Sequence, residues 1–388
     1  MNRPQLSTAE VVGYFSAEAL GLGRPVAFYR CGDRSRPPGH DHQTKMMIAR
    51  SLADLLGVEF AGELDLQCQP ASVFVVPSDT LESLEQARRI GITGAGDLFG
   101  GVVPHPFVAT KVITHPLLHA DAAAPEGWST AFGASVRGAV LPGCSVFTVD
   151  DALRAGERLL KQGAVRVKEP GGVGGGGQYV VRNRTELQAR VGAIDPAVLQ
   201  REGLVLERNL NDVTTRSVGQ VQVGRWTASY CGTQHLTRNH RNDEVYGGSR
   251  LTVVRGGYDD LLGLALAPAQ RTAVEQALTY HRSALQCFAG LMVSRSNYDV
   301  AQGRDDAGQA CSGVLVQSWR IGGASGAEVA ALHAFRADPG LQVVHASTTE
   351  IYGEGVTIPA GARVHYDGID EHVGRLTKYA RVEPYGDA

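Results

Sequence analysis

Lys168 closes the apolar run AVRVK, and six of the seven residues from Gly171 to Gly177 are glycine (Gly171, Gly172, Gly174, Gly175, Gly176 and Gly177). A fixed cation beside backbone N–H groups that no side chain shields suits phosphate oxygens. Gly172, Gly174 and Gly177 satisfy GxGxxG, but a dinucleotide site needs a helix after that motif, and QYVV reads as a strand. A Walker A loop is excluded, because no Gly-Lys-Ser/Thr ends the run. Protein kinases place the glycine hairpin before its lysine, whereas Lys168 comes first here, and no HRD or DFG appears in suitable order. The competing reading is a passive surface hairpin, which leaves a charged lysine at the strand end unexplained. Ending a strand that faces phosphate, Lys168 is expected to do little for the core.

A second anion-binding candidate is Arg320 with Gly322 to Ser325. Arginine pairs bidentately with carboxylate or phosphate, and the N–H groups opening a helix after Ser325 add a positive end. A capped helix beside a surface arginine fits the same residues. His40 and His42 look like a metal pair, but alternate histidines in a loop with no third ligand nearby read better as solvated.

The elements that must position these residues follow from periodicity and punctuation. VAFYR (26–30) and Val73 to Val76 read as buried strands, with helices over 43–56 and LESLEQARRIG and a further short strand GGVVP. This alternation indicates a small parallel α/β domain. Residues 120–147, rich in Ala, Gly, Pro and Ser, read as a connection. Thr148 and Asp151 begin a helix in capping-box fashion, and then come the strands 164–168, 178–181 and 203–210. After residue 215 the pattern is antiparallel: a hairpin in SVGQVQVGRWTASYCG, the strand RLTVVRGG, the helix AVEQALTYHRSALQCFAG, and the strands MVSRSNYDVA and SGVLVQSWR. Ser325 and Glu328 read as a second capping box, and the last ~55 residues as an added β-rich tail.

Composition limits the function classes. With 388 residues the chain is expected to form two or three domains. A net charge of -3, with Lys and Arg dispersed, gives no field for nucleic acid or a membrane surface. No run approaches the roughly 18 apolar residues of a membrane span, and MNRPQLSTAEVVGYF shows no secretory pattern. Six scattered cysteines without CxxC argue against structural zinc or a disulfide framework and for a cytoplasmic protein.

Over roughly 105–335 the order of elements resembles the ATP-grasp superfamily, which includes biotin carboxylase and D-alanine–D-alanine ligase. The resemblance implies ATP and Mg²⁺. Lys168 and the glycine hairpin would then meet the phosphates, and Glu207, Arg208, Asn209 and Leu210 in LVLERNL would form the adenine hinge. Lys111 in FVATKVITHP matches the earlier lysine of that superfamily. Asp299 in SNYDVA takes the place of the first metal carboxylate. Anchoring the Glu-x-Asn-x-Arg pattern on Arg320 puts Ser318 at the asparagine and Val316 at the glutamate; 316, 318 and 320 share one strand face. Valine offers a metal no oxygen, so either one cation is held by Asp299 and water or the site has lost catalytic power. Gln317 could serve only if the strand slipped by one residue. The stretch TQHLTRNHRNDEVYGGSR, with His235, Arg238, His240, Arg241 and Arg250, corresponds to the substrate side of that superfamily; a polar loop at a sheet edge fits equally.

The expected architecture is α/β: a parallel α/β domain over 1–110, an α+β ATP-grasp core of two subdomains over 111–335, and a C-terminal extension over 336–388. The expected activity is ATP-dependent ligation of a small, anionic substrate, with homo-oligomerisation left open. The alternatives are nucleotide binding without turnover and a small-molecule kinase.

Overall fold

The computed structural model describes residues 23–32, 39–65, 72–172 and 176–383. The first layer is β1 (Val26–Tyr29), α1 (His40–Leu56), β2 (Phe60–Glu63), β3 (Phe74–Pro77) and α2 (Leu84–Arg89). The three strands form a parallel sheet in the order β2-β1-β3. β1 and β3 are buried along their whole length, which accounts for their unbroken apolar runs. His40 and His42 lie in the first turn of α1, not in a loop.

GGVVP does not join that sheet. Its β4 (Gly101–Val102) pairs antiparallel with Met292–Val293, stitching the first layer to the later part of the chain. The stretch 120–147 is likewise more than a connection, since it holds α3 (Thr130–Ser135) and β5 (Gly143–Val146).

Next come α4 (Val149–Leu160), β6 (Val165–Lys168), β7 (Gln178–Val181), α5 (Arg184–Gly192), α6 (Pro196–Glu202) and β8 (Leu204–Arg208). The Thr148 side chain caps α4 by accepting from the Asp151 N–H, the local pattern expected from sequence. The antiparallel sheet runs β5-β8-β6-β7, so β8 lies inside it and its LVLE stretch is buried. The glycine run is the tip of the β6–β7 hairpin, with Lys168 opposite Gln178.

Apart from Met292–Val293, which pairs with β4, the strands of the remainder build one large antiparallel sheet. The elements of the remainder are β9 (Asn211–Val223), β10 (Trp226–Arg238), β11 (Glu244–Arg255), α7 (Tyr258–Leu262), α8 (Pro268–Cys287), β12 (Met292–Val293), β13 (Arg295–Arg304), β14 (Ala310–Ser318), α9 (Ser325–Ala337), β15 (Val343–Tyr352), β16 (Arg363–Asp370) and β17 (Gly374–Glu383). The strand order is β14-β13-β9-β10-β11-β15-β17-β16. The C-terminal strands therefore extend this sheet. One face packs Val218, Cys231, Tyr298 and Val300 against α8; the other packs Tyr230, Leu251 and Ala346 against α9 and the first layer. No helix among the described residues is long and apolar enough to cross a membrane.

Candidate nucleotide site

Lys168 ends β6 almost fully buried, and its ammonium pairs with Glu207 Oε1 on β8. The other oxygen, Glu207 Oε2, lies 3.0 Å from His115 Nε2. Burial works against ionising Glu207, but Lys168 and His115 outweigh it and hold the carboxyl at about 2. Lys168 is thus embedded, contrary to the expectation that it adds little to the core.

Lys111 opens a short 3-10 turn (Lys111–Thr114) and crosses to the hairpin. Its Nζ donates to the carbonyl of Gly172 at 2.5 Å and to that of Glu169 at 3.4 Å. Burial and the neighbouring Lys168 lower its pKa to about 8, against the pull of Glu207, Asp299 and Glu169. Those partners belong to both antiparallel sheets, so Lys111 sits where the two sheets face each other. Gly174 and Gly175 lie outside the described residues; Gly171, Gly172, Gly176 and Gly177 flank them.

On the large sheet Asp299 stands directly opposite Val316, and Asn297 opposite Ser318. Gln317 turns to the other face, where it accepts from the Tyr280 hydroxyl and donates to the carbonyls of Val108 and Thr110. β14 carries a bulge between Val314 and Val316, but from Val316 to Ser318 the pairing leaves Gln317 opposite Tyr298, and Gln317 braces the backbone just before Lys111. Asp299 Oδ1 accepts from Gln234 Nε2 at 2.7 Å and Asn297 Nδ2 at 2.9 Å. Burial raises the Asp299 pKa.

Residues 28–380 match the family described as protein of unknown function (DUF3182). The chain belongs to the DUF3182 family. No curated protein matches the sequence. The fold is that of the ATP-grasp enzymes. The structure is similar to N5-carboxyaminoimidazole ribonucleotide synthetase (purK) solved with ADP, with TM-score 0.51 and 13% identity over 93% of each chain. It is also similar to biotin carboxylase from Campylobacter jejuni in a β,γ-ATP complex, with TM-score 0.51 and 9% identity over 94% of this chain and 88% of that one.

The remaining expected residues of this DUF3182 chain are placed as follows. Arg208 is held by Asp305 and Gln162, Asn209 Oδ1 accepts from Arg166, and Leu210 is buried beside Leu141 and Ala301. The side chains of residues 207–210, expected to form a hinge, are thus committed to protein. Arg320 is half-buried and lies 3.6 Å from Asp79, at the end of the first layer. Glu328 does not cap α9, whose N-cap is Ala324; it is fully buried and pairs with Arg295 on β13. Ser325 Oγ instead accepts from the Gly322 N–H.

The basic stretch forms the end of β10, the turn and the start of β11. His235 and Arg250 point to the sheet face away from Asp299, where with Tyr379 and Arg381 they line a cavity of about 320 Å³. They are therefore not beside the Lys111–Asp299 region. Among the described residues no group of three or more His, Cys, Asp or Glu is placed to hold a metal. Sequence reasoning missed His115, Tyr230, Gln234, Arg295 and Asn297. None has a short-range motif, and each has a partner distant in sequence, 92 residues away for His115, 98 for Tyr230, 65 for Gln234, 33 for Arg295 and 67 for Asn297.

Proposed function

We propose that this chain is an ATP-dependent ligase that activates a substrate carboxylate as an acyl phosphate for capture by an amine or similar nucleophile. The observation that carries the reading is the placement of Lys168 at the base of the glycine hairpin, paired with Glu207, and of the Lys111 ammonium on the Gly172 carbonyl of its tip, with Asp299 of the facing sheet close enough to act on Lys111. Such an arrangement suits a polyphosphate between the two sheets. With the side chains of 207–209 committed elsewhere, and the N–H groups of Arg208 and Asn209 donated to the carbonyls of Pro142 and Ala164, adenine would be held by the backbone groups of 207–210 that remain.

The metal fit is partial. Asp299 supplies one carboxylate, and Val316 opposite it supplies nothing, so a cage of two carboxylates does not fit, whereas one cation shared with phosphate does. That cation would neutralise charge on the phosphate oxygens. Lys168 and Lys111 hold the β- and γ-phosphates, and Arg320 steadies the carboxylate whose oxygen attacks the γ-phosphorus. ADP leaves, the nucleophile attacks the acyl carbon, and phosphate departs. The protein supplies position and charge rather than a covalent step.

Val316 favours a second reading, nucleotide binding without turnover. The test is ATP calorimetry followed by ADP release over a panel of small carboxylic acids, with and without amines. Amine-dependent ADP release together with a new amide supports ligation. Phosphorylated acid without amine use points to a kinase, and tight ATP binding without ADP release to the second reading. No ATP binding at all overturns the proposal.

A further inference from the structure

We infer that the large sheet holds a second small-molecule site on its other face, over β10, β11, β15 and β17, for a compound that carries a phosphate group. It lies across the sheet from Asp299, so it does not rest on the ATP-site reading. The floor of the cavity of about 320 Å³ is two rows of facing residues, two positions apart along each strand. In one row Arg250 stands opposite Ser347, and Ser347 opposite Arg381. In the other His235 stands opposite Gly248, Gly248 opposite Thr349, and Thr349 opposite Tyr379. Neighbouring strands lie ~4.8 Å apart, so Arg250 and Arg381 rise from backbones about 10 Å apart, on either side of Ser347. Gly248 has φ +142°, and a Cβ there would fall 2.6 Å from His235 Cε1, so its missing side chain lets the imidazole lie across β11. Pro359, between β15 and β16, completes the lining.

The donors of this lining are what point to an anion. Tyr379 is 8% exposed, yet its hydroxyl has no hydrogen-bond partner among the described residues, where a buried tyrosine hydroxyl ordinarily has one. Arg250 likewise has neither a hydrogen bond nor an ion pair among the described residues. Arg381 is the contrast: its Nε and Nη2 donate to Glu383 Oε1 at 3.1 and 2.7 Å, which leaves Nη1 without a partner. Glu383 thus answers Arg381, and no carboxylate of the lining answers Arg250. A solvated face also carries arginines, but it does not keep a tyrosine 8% exposed with its hydroxyl unpaired. The N–H groups of Arg250, those on Arg381 Nη1 and the Tyr379 O–H outnumber the roughly four acceptor sites of a carboxylate. They suit the terminal oxygens of a phosphate, which arginine pairs bidentately. The cavity has room for about ten waters at ~30 Å³ each, more than a phosphate ion alone displaces, and small-molecule pockets begin at ~300 Å³.

The experiment is calorimetry of inorganic phosphate and a set of small phosphate esters into the full chain saturated with ADP, at ionic strength fixed with chloride, beside thermal melts. Phosphate is expected to bind with ADP in place, and at least one ester more tightly, because the cavity extends beyond the phosphate group. Arg250→Gln is expected to weaken phosphate about tenfold or more, and Tyr379→Phe several-fold, both with native ADP affinity. Neither side chain has a hydrogen-bond partner to lose among the described residues, so both variants are expected to melt as the native chain does. Inorganic phosphate that binds as tightly as every ester would be an adventitious ion only, and overturns the inference. So does native phosphate affinity in either variant, acetate binding as tight as phosphate, or no phosphate binding at all. Phosphate that binds only without ADP occupies the nucleotide site instead, which overturns this inference and leaves the ATP-site reading standing. If the chain does not bind ADP, the ATP-site reading falls, and the phosphate titrations decide this inference by themselves.

Discussion

Lys168 and Glu207 are a buried ion pair on neighbouring strands, 2% and 1% exposed, diagonal to each other by two residues: Lys168 stands opposite Val205, and Glu207 opposite Arg166. A cation meant only for a ligand would sit in water. This one is held at a fixed position before any ligand arrives.

The pair makes Lys168 a poor target for a binding-only mutation. Lys168→Met strands a buried carboxylate, at a cost of about 3–5 kcal/mol. The double variant Lys168→Met/Glu207→Gln is expected to regain much of that stability and none of the ATP affinity. Thermal melts and calorimetry on the two variants check this. Equal melting temperatures for the native chain and Lys168→Met would show that the pair contributes little.

Lys111 gives ATP binding a pH dependence. Its pKa is lowered from 10.5 to about 8, so the free chain loses this charge as pH rises through 8. Phosphate favours the charged form, so ATP affinity is expected to be flat below pH 7 and to fall above 8, with proton uptake on binding. For folding the sign is opposite. The native state binds fewer protons than the unfolded chain between 8 and 10.5, so this group makes the protein more stable as pH rises through that window. Lys111→Arg should stay charged and flatten the binding profile. An unchanged fall above pH 8 in that variant would assign the effect elsewhere.

Gly172 and Gly171 form a matched pair of probes. A Cβ on Gly172 would meet the Gly176 carbonyl at 2.2 Å, whereas one on Gly171 meets nothing within 4 Å. Gly172→Ala must therefore move the hairpin tip, and with it the carbonyl that Lys111 holds. ATP affinity is expected to fall about tenfold, ~1.4 kcal/mol, while Gly171→Ala binds normally. Equal affinity in both variants would remove this tip from the phosphates.

The sequence carried the strand–glycine–strand unit because its signals are local: the apolar run ending at Lys168, the glycines, and QYVV with its β-branched residues. It also carried the face shared by Val316, Ser318 and Arg320, since side-chain alternation along a strand is a two-residue property. Glu328 shows where this fails. Ser-x-x-Glu before an apolar helix is a local capping signature. The structure uses that glutamate for Arg295, 33 residues earlier, and a long-range pair of this kind leaves no periodic trace. His115 was missed for the same reason, its partner lying 92 residues away on β8. GGVVP has the composition of a strand, but composition does not choose a partner, and its partner is Met292–Val293.

Val316→Glu tests the metal register most directly. Val316 faces Asp299 across β13 and β14, is only half-buried, and belongs to none of the apolar clusters, unlike its neighbour Val314. A carboxylate there would be solvated rather than desolvated, so the penalty of several kcal/mol for an unpaired buried charge does not apply. Without metal, two facing carboxylates repel, and the variant is expected to melt slightly below the native chain. With Mg²⁺ and ATP the repulsion becomes a chelate. The variant's melting temperature should then rise more than the native chain's, and Mg²⁺-dependent ADP release should increase. A variant that folds but gains nothing from Mg²⁺ would place the cation away from Asp299. One that does not fold would show that position 316 faces a core, against the half-exposed placement on which the register rests.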